Sequence, residues 1–280
     1  MTECGWSGKR ARVDLTTGEK GTEPLDLNTL RRWIGGRGLN AYTMYSESQA
    51  GTDPFSPENP LCFAVGPLSG TFAPCSGWFN AASFSPMFHP PTYGEINIGG
   101  HWGPELKFAG YDQLIVTGRA QKPVYLWVDD DHIEIRDGHL LWGKGTRQTT
   151  LMIQEELGDR GVQVLCIGPA GERGVRYASL LNTFSWTGER LGFGAVMGSK
   201  NLKAIAVRGS RPVHIAKPEK FMETCFQARQ KIALDPFIQR LSDEGTLFLL
   251  EPANRIGLGA FKNGRAGYVP DIEERLNAAG

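Results

Sequence analysis

Glycine-rich loops interrupt this chain repeatedly, and residues 94–112 (GEINIGGHWGPELKFAGYD) form the most informative of them. The stretch opens with a polar turn, passes Asn97 and the pair Gly99-Gly100, and continues into a helical turn over residues 104–109. A backbone that approaches a ligand closely needs residues without a Cβ atom, and free N–H groups at a helix start suit an anion. An ordinary turn between two strands explains the same glycines equally well, so both interpretations stand for this stretch alone.

A second glycine-rich loop, GGRG at residues 35–38, lies between two predicted helices at residues 28–34 and 39–48. A helix C-cap followed by a turn explains its glycines. An anion-binding loop with Arg37 as the counter-charge is the alternative. Taken alone, the residues favour the capped turn.

Several short strands are predicted around these loops. The run Leu61–Val65 (LCFAV) is continuously apolar, which predicts a strand buried on both faces. Further strands are predicted at residues 81–84, 113–117, 124–128, 133–136, 162–167 and 204–208. Later in the chain the pattern becomes helical, over residues 219–234 and, more weakly, 237–250. The boundary between the two parts is predicted near residue 211.

Charge and cysteine content exclude several classes of protein. Lys+Arg equals Asp+Glu at 30 each, so no electrostatic pattern indicates binding to nucleic acid or to a membrane surface. The 5 cysteines are far apart and include no Cys-x-x-Cys pair, which is typical neither of a disulfide framework nor of a zinc or iron–sulfur site. Reduced thiols indicate a cytoplasmic protein. No apolar run approaches about 18 residues, so no membrane span is expected.

Motifs for single-residue catalysis are missing from the sequence. It contains no Gly-x-Ser-x-Gly elbow and no phosphate-binding loop, and its 5 histidines are not spaced for shared metal ligation. The run Asp129, Asp130, Asp131 is interpreted as a solvated hairpin tip rather than a cation site. Several glycine-rich loops each carry an Arg, Asn or Trp instead. This pattern favours binding of a large polyanionic cofactor through backbone and hydrogen-bonding groups.

Several stretches, in order along the chain, resemble the tungsten-containing aldehyde:ferredoxin oxidoreductases. They are RVDLTTG at residues 12–18, GGRGLNAY at 35–42, GPLSGTFAP at 66–74, GGHWGPELKFAGYD at 99–112, IGPAGE at 167–172 and GAVMGSKNLKAIAVRG at 194–209. Each is weak alone, but together and in register they are highly specific. The resemblance covers most of the chain.

The resemblance implies an α+β fold in which two antiparallel β-sheets enclose a bis-pterin site, followed by the first helices of an α-helical domain. Residues 1–210 would form the N-terminal, tungstopterin-binding domain, and residues 211–280 the incomplete start of the second domain. The family's catalytic subunit carries tungsten or molybdenum on a bis-pterin beside a [4Fe–4S] cluster. It oxidises aldehydes to carboxylic acids and passes electrons to ferredoxin.

The resemblance also implies roles for individual residues. Asn97, Gly99 and Gly100 fall where the family contacts the pterin. The backbone carbonyls of Asn97 and Thr187 would bind the magnesium ion that bridges the two pterin phosphates. Arg190 matches an arginine at the cofactor, and its guanidinium would offer two parallel hydrogen bonds to phosphate.

The sequence departs from the family pattern at charged positions beside the cofactor. Trp78 and Trp186 stand where the archetypal enzymes have arginines, and an indole stacks on a pterin but does not neutralise a phosphate. Glu189 adds a negative charge where a small residue is usual. Arg37 and Lys107 are the candidates to supply the positive charge that Trp78 and Trp186 lack. Of these residues, Trp78, Trp186 and Arg37 belong to the expected cofactor site, and Glu189 and Lys107 do not.

The family's Cys-x-x-Cys-x-x-x-Cys cluster motif does not occur in this sequence. We therefore expect a truncated product, half of a split enzyme or a stand-alone paralogue, and little turnover by the isolated chain. Expected partners are ferredoxin or another electron-transfer subunit, a C-terminal partner polypeptide, and further copies in a homo- or hetero-oligomer. A non-catalytic structural or assembly subunit, or part of a related acyl-CoA ring reductase, is the alternative.

Overall fold

The computed structural model describes residues 4–188, 190–272 and 276. The chain divides into two compact units, residues 1–216 and residues 217–280. Two six-stranded sheets with flanking helices form the first unit, and helices dominate the second. The predicted α+β fold is therefore confirmed.

The first sheet is built from the N-terminal half of the first unit. Its strands are β1 (Lys9–Asp14), β2 (Lys20–Pro24), β3 (Leu61–Val65), β4 (Phe79–Ser85), β5 (Thr92–Ile98) and β6 (Gln113–Thr117). They lie in the order β2-β1-β6-β3-β4-β5. Neighbours are antiparallel except β1 and β6, which run parallel with Arg10 opposite Gln113. The sheet is thus mixed rather than wholly antiparallel. A long stretch of chain separates β1 from β6, as parallel neighbouring strands require.

The second sheet is built from the later strands of the first unit and also contains one parallel pair. Its strands are β7 (Val124–Asp129), β8 (His132–Asp137), β9 (Gln163–Cys166), β10 (Leu180–Asn182), β11 (Trp186–Gly188) and β12 (Leu202–Arg208). They lie in the order β11-β10-β9-β12-β7-β8, and the one parallel pair is β12 with β7. The short hairpin of β10 and β11 therefore forms one edge of this sheet.

Helices connect the strands and complete both units. In the first unit they are α1 (Leu27–Trp33), α2 (Gly36–Glu47), α3 (Trp102–Phe108), α4 (Thr146–Leu157), α5 (Pro169–Glu172) and α6 (Phe193–Ser199). In the second unit they are α7 (Pro218–Ala233), α8 (Pro236–Glu244), a 3₁₀ turn (Gly245–Leu249), α9 (Leu250–Arg255) and the kinked α10 (Phe261–Gly264). Within the residues that the structure describes, no helix is both long and apolar enough to cross a membrane.

The largest hydrophobic core joins the two sheets of the first unit. Trp102 of α3 lies at its centre, with ring centroids 4.7 Å from Phe79 and 5.4 Å from Phe63 of the first sheet. Its indole Nε1 donates a hydrogen bond to the Ile205 carbonyl of the second sheet at 2.9 Å. Helix α3, which follows the Gly99-Gly100 loop directly, is therefore fixed to both sheets.

Strand β3 is buried on both faces, as its apolar sequence predicts. Phe63 and Val65 point into the core between the sheets. Cys62 packs instead with Met44 of α2, and Ala64 with Leu39 of the same helix. The apolar run has no polar alternation because helix and sheet cover its opposite faces.

The polar segment before Gly99 is a strand and not the turn predicted from its composition. Residues 92–98 pair with β4 along their whole length, from Thr92 opposite Ser85 to Ile98 opposite Phe79. Pairing with a buried neighbouring strand outweighs the poor strand preference of glycine, glutamate and asparagine. The loop is therefore confined to the residues that follow Ile98.

The acidic run between β7 and β8 is the hairpin tip that the sequence predicts. Asp131 forms ion pairs with Arg211 and Lys9. The hydrogen bond from Arg211 is the main cause that lowers the Asp131 pKa to about 2. Asp130 accepts a hydrogen bond from the Ser210 backbone N–H at 2.9 Å. These carboxylates therefore tie the hairpin to the chain segment that follows β12.

Candidate functional site

Glycine-containing segments from separate parts of the first unit meet beside the end of β5. A Cβ atom on Gly35 would lie 2.6 Å from the Val65 carbonyl oxygen, so the GGRG loop abuts the end of β3. A Cβ atom on Gly77 would lie 2.9 Å from the Gly100 carbonyl oxygen. These loops contact one another through backbone atoms, which residues without a Cβ allow.

The indole of Trp186 covers both residues of the pair Gly99-Gly100. A Cβ atom on Gly99 would lie 2.6 Å from Cε3 of Trp186, and one on Gly100 would lie 2.8 Å from Cδ1. The six-membered ring thus faces Gly99 and the five-membered ring faces Gly100. Gly100 also has a φ of +95°, which a residue with a side chain adopts only with strain.

Asn182 of β10 holds this loop from the second sheet. Its Nδ2 donates a hydrogen bond to the Gly99 carbonyl oxygen at 2.6 Å, and the side chain is fully buried. Its Oδ1 is buried as well and has no hydrogen-bond partner among the described residues. A buried amide oxygen without a partner is costly, so an N–H donor brought by a ligand would be stabilised there. We call the cluster of Gly77, Gly99, Gly100, Asn182 and Trp186 the glycine cradle.

The edge hairpin also brings Thr187 to the strand that carries Asn97. A Cβ atom on Gly188 of β11 would lie 2.5 Å from the Cδ1 atoms of both Ile96 and Ile98. Strand β11 therefore packs directly on β5 at the residues that flank Asn97. Thr187 precedes Gly188 and is exposed. The two residues expected to bind magnesium through their carbonyls thus lie on strands in contact.

A chain of amide side chains runs from Asn97 into the first sheet. Asn80 Nδ2 donates to Asn97 Oδ1 at 3.0 Å and also hydrogen-bonds to Glu95. Asn40 Nδ2 donates to Asn80 Oδ1 at 2.9 Å, and Gln113 Nε2 donates to Asn40 Oδ1 at 2.8 Å. Asn40, Asn80 and Gln113 are buried. The network fixes the orientation of Asn97, because a buried amide that loses its partner is penalised.

Arg37 reaches this network through an ion pair. Its Nη2 lies 2.8 Å from Glu95 Oε1, while its own side chain is 66% exposed. Glu95 in turn hydrogen-bonds to Asn80. Arg37 is thus placed near Asn97, but a carboxylate already compensates part of its charge.

Arg190 and Trp78 complete the set of residues expected from the sequence. Arg190 follows β11, is exposed, and has a φ of +77°. Trp78 lies just before β4, and its ring centroid is 6.2 Å from that of Trp186 at an interplanar angle of 73°. The two indoles are 47% and 48% exposed, respectively. Glu189 lies outside the described residues.

Lys107 has a different role from the compensating charge suggested by the sequence. It is buried in α3, forms an ion pair with Asp112, and donates to the Gly5 carbonyl at 2.9 Å. Burial lowers the pKa of Lys107, and Asp112 opposes that shift. Asp112 also accepts from the Gly8 backbone N–H at 2.7 Å. Lys107 therefore anchors the N-terminal segment to α3 and is not available to a phosphate at the glycine cradle.

The thiols offer no metal centre in the described part of the chain. Burial raises the pKa of Cys62 to about 12 and that of Cys166 to about 11, so both stay protonated near neutral pH. Among the described residues, no group of three or more His, Cys, Asp or Glu side chains is placed to hold a metal ion. The chemical capacity of the site therefore lies in backbone groups, amides, aromatic rings and two arginines.

The chain is similar to a known family of proteins over most of its length. The family model for the aldehyde ferredoxin oxidoreductase N-terminal domain matches residues 10–209. The tungsten-containing aldehyde ferredoxin oxidoreductase of Pyrococcus furiosus is 43% identical over 273 residues, which is 97% of this chain and 45% of that protein. The matching enzyme of Thermococcus kodakarensis is 42% identical over 273 residues, again 97% of this chain and 45% of the relative. This chain thus spans less than half the length of these relatives.

More distant relatives differ in their named activity. The aliphatic sulfonate oxidoreductase, WOR-like subunit, of Pyrococcus furiosus is 33% identical over 225 residues, covering 74% of this chain and 35% of that protein. Among solved structures, the active-site complex BamBC of benzoyl coenzyme A reductase with 1,5 dienoyl-CoA matches with a TM-score of 0.79 and 38% identity. That match covers 82% of this chain and 35% of the other chain. With its N-terminal family model matched and its relatives more than 40% identical along nearly its whole length, the chain belongs to the aldehyde ferredoxin oxidoreductase family.

Proposed function

We propose that this chain is the cofactor-binding portion of a tungsten or molybdenum bis-pterin oxidoreductase that oxidises aldehydes to carboxylic acids. One observation carries the proposal: glycine-containing loops from both sheets converge on Gly99-Gly100, where backbone atoms face Trp186 and Asn182. Binding a large planar group through backbone and amide contacts needs such an arrangement. The relatives named for tungsten and aldehyde oxidation support the choice of cofactor and reaction.

The residues present fit the ring system of a pterin. Gly99 and Gly100 lack Cβ atoms, and this lets Trp186 and Asn182 lie directly against the loop and form one wall of the candidate site. Asn182 Oδ1, which has no partner among the residues that the structure describes, suits one of the N–H donors that a pterin ring carries. Trp78 and Trp186 present aromatic surface, and Arg190 and Arg37 provide the cationic groups for phosphate.

Each residue would then have a defined task. The backbone carbonyls of Asn97 and Thr187 would bind magnesium, and a carbonyl ligand tolerates a changed side chain at position 187. Arg190 would donate two parallel hydrogen bonds to a phosphate. Asn80 would keep Asn97 in place through their shared hydrogen bond. When bound, the metal–pterin group supplies the two-electron oxidation of an aldehyde with water, and this chain's residues position and shield that group.

We assign residues 1–210 to the tungstopterin-binding domain and residues 211–280 to the start of a helical domain. In this proposal, the complete assembly would also hold the [4Fe–4S] cluster and pass electrons to ferredoxin or another electron-transfer subunit. Its activity would require a polypeptide that provides the cluster ligands, in a homo- or hetero-oligomer. The buried thiols of Cys62 and Cys166 suit a reducing compartment such as the cytoplasm.

Reduction of an aromatic acyl-CoA ring is the second candidate. The match to the benzoyl coenzyme A reductase complex, with a TM-score of 0.79, favours it as a related chemistry on the same cofactor domain. The two candidates share the cofactor and differ in the substrate. Assays with aldehydes and with benzoyl-CoA, using one preparation of the complete assembly, therefore separate them.

The proposal is tested by measuring the cofactor directly. The chain is expressed anaerobically with tungstate or molybdate, with cofactor maturation and with its partner polypeptide, and is then analysed for metal and pterin. We expect tungsten or molybdenum with about two pterins per metal, as a bis-pterin requires. A preparation that lacks both metal and pterin under these conditions contradicts the proposal.

A further inference from the structure

Helix α2 leaves part of the first sheet uncovered, on the sheet face that points away from the second sheet. It packs mainly over β3 and β4, while β5 lies beyond β4 at the edge of the sheet. Met44 of α2 packs with Cys62 and Ala82 on this face. Phe84 and Tyr93, which are paired across β4 and β5, lie against the same cluster. A space therefore remains between the second half of α2 and the start of β5.

The space is a cavity of about 630 Å³, a size typical of pockets that hold small molecules. Trp33 and Tyr42 form one wall, with stacked rings whose centroids lie 5.4 Å apart. Met44, Phe84 and Tyr93 also line it. We call the space bounded by these five residues the aromatic cavity. Its described lining residues do not include those of the glycine cradle.

The described residues that line the aromatic cavity carry no charge. They are apolar or aromatic, or they bear a hydroxyl group, as Tyr42, Ser48 and Thr92 do. Burial, and then the carboxylate of Glu95, raise the pKa of Tyr93 to about 12, so this phenol is also uncharged at neutral pH. An ionised ligand would lose its hydration here without gaining a counter-ion. Hydroxyl groups, by contrast, can donate a hydrogen bond to a carbonyl oxygen.

We propose that the aromatic cavity binds an uncharged, apolar carbonyl compound with a planar ring, through contact with the rings of Trp33, Tyr42 and Phe84 and a hydrogen bond from a hydroxyl group of the lining. The small side chain of Ala41, which also lines the cavity, leaves room for this ligand. Binding requires neither metal nor pterin, so the site is additional to the cofactor site. Aldehydes belong to this chemical class and carboxylates do not, and only this link to the substrate rests on the proposed function.

Acetophenone and benzoate test the proposal, because they share a benzene ring but only benzoate is charged at neutral pH. The wild-type chain is labelled with ¹³C at its methionine methyl groups and titrated with each compound, and Met44→Leu identifies the Met44 resonance. We expect acetophenone to shift this resonance with a Kd of about 1 mM or lower. Benzoate should bind at least about 10-fold more weakly, since its charge has no partner in the lining.

Ala41→Phe tests the location of the site, because the added ring occupies the cavity. The variant should bind acetophenone at least about 10-fold more weakly than the wild type. Ser46→Phe is the matched control, since it adds the same ring to an exposed residue of α2 outside the lining, and its affinity should stay within about 2-fold. Circular dichroism establishes whether each variant is folded. The comparison of the two compounds in the wild type decides the proposal even if Ala41→Phe does not fold.

Three results overturn the aromatic cavity as a ligand site. They are a Met44 resonance that acetophenone leaves unchanged, equal affinities for acetophenone and benzoate, and an unaltered affinity in folded Ala41→Phe. Metal and pterin content of the matured assembly is measured separately. The aromatic cavity can thus fail while the proposed function stands, and the proposed function can fail while acetophenone still binds.

Discussion

The indole of Trp186 lies so close to Gly99 that a Cβ atom there would come within 2.6 Å of its Cε3 atom. This contact joins the edge hairpin of the second sheet to the loop that follows β5 in the first sheet. A hydrogen bond from Asn182 to the Gly99 carbonyl oxygen, at 2.6 Å, strengthens the same junction. The glycine cradle is therefore a contact between the sheets as well as a candidate cofactor site.

Asn182→Asp tests how the cradle is held together. The substitution keeps the size of the side chain but replaces the Nδ2 donor by an oxygen that faces the Gly99 carbonyl. We expect the free energy of unfolding to fall by about 3–5 kcal/mol at neutral pH, because a carboxylate without a partner would be buried against a carbonyl oxygen. Urea denaturation measures the change. Asn28→Asp, on the exposed surface of α1, should change it by less than about 0.5 kcal/mol. An equal effect of the two variants would show that the Asn182 bond does not stabilise the fold.

Asn80→Ala tests the amide network behind Asn97. Removal of this side chain leaves Asn97 Oδ1 without the Asn80 donor, leaves Asn40 Nδ2 with only the Asn80 backbone carbonyl, and opens a small cavity. We expect a loss of roughly 2–4 kcal/mol in the free energy of unfolding. Pterin content of the matured protein should fall as well, because Asn97 is no longer fixed. Full stability together with full pterin content would contradict the network's role.

Lys200 predicts a specific dependence of stability on pH. It is fully buried, donates to the Pro57 and Gly118 carbonyls at 3.1 and 3.3 Å, and burial lowers its pKa to about 8. Between that value and the unfolded value of about 10.5, the unfolded chain binds more protons than the folded chain. The contribution of Lys200 to stability therefore increases as the pH rises through this window.

Between pH 7.5 and pH 9.5, we expect Lys200 to increase the free energy of unfolding by about 1–2 kcal/mol. The measurement compares urea denaturation of wild type and Lys200→Met at the two pH values. The increase should be smaller in Lys200→Met by that amount, whereas the exposed variant Lys20→Met should follow the wild type. The same pH dependence in wild type and Lys200→Met would assign the effect to other groups.

Most strands and helices of the first unit were predictable because their sequences carry strong local signals. Leu61–Val65 is apolar throughout and is covered on both faces, and Asp26 caps α1 through its hydrogen bond to the Thr29 backbone N–H. Residues 92–98 gave no such signal, since glycine, glutamate and asparagine are poor strand formers. Their conformation follows from pairing with β4, which is a property of the assembled sheet.

Some residues of the candidate site were likewise identifiable from the sequence, and others were not. The pair Gly99-Gly100 was identifiable because glycine marks close backbone approach, and the reason for the approach became visible only with Trp186 in contact. Asn182 and Asn80 were missed, because a single amide within a strand forms no motif. An asparagine among apolar neighbours, directly before the strand predicted at residues 81–84, is the signal that could have found Asn80. Lys107 was misjudged because its partner, Asp112, becomes fixed only when the N-terminal segment packs on α3.

Gly99→Val gives the most direct test of the central claim that the glycine cradle holds the pterin. The variant is expressed with tungstate or molybdate and full cofactor maturation, and the pterin bound per chain is measured. Gly21→Val in β2 is the matched control, because a Cβ atom at Gly21 would meet nothing within 4 Å. Circular dichroism and urea denaturation of both variants establish whether each remains folded.

We predict that folded Gly99→Val retains less than about a tenth of the wild-type pterin, because the added methyl groups occupy the space over the loop and displace Trp186. Gly21→Val should retain the full content. If folded Gly99→Val protein keeps the full wild-type pterin content, Gly99-Gly100 is not the cofactor cradle of this chain.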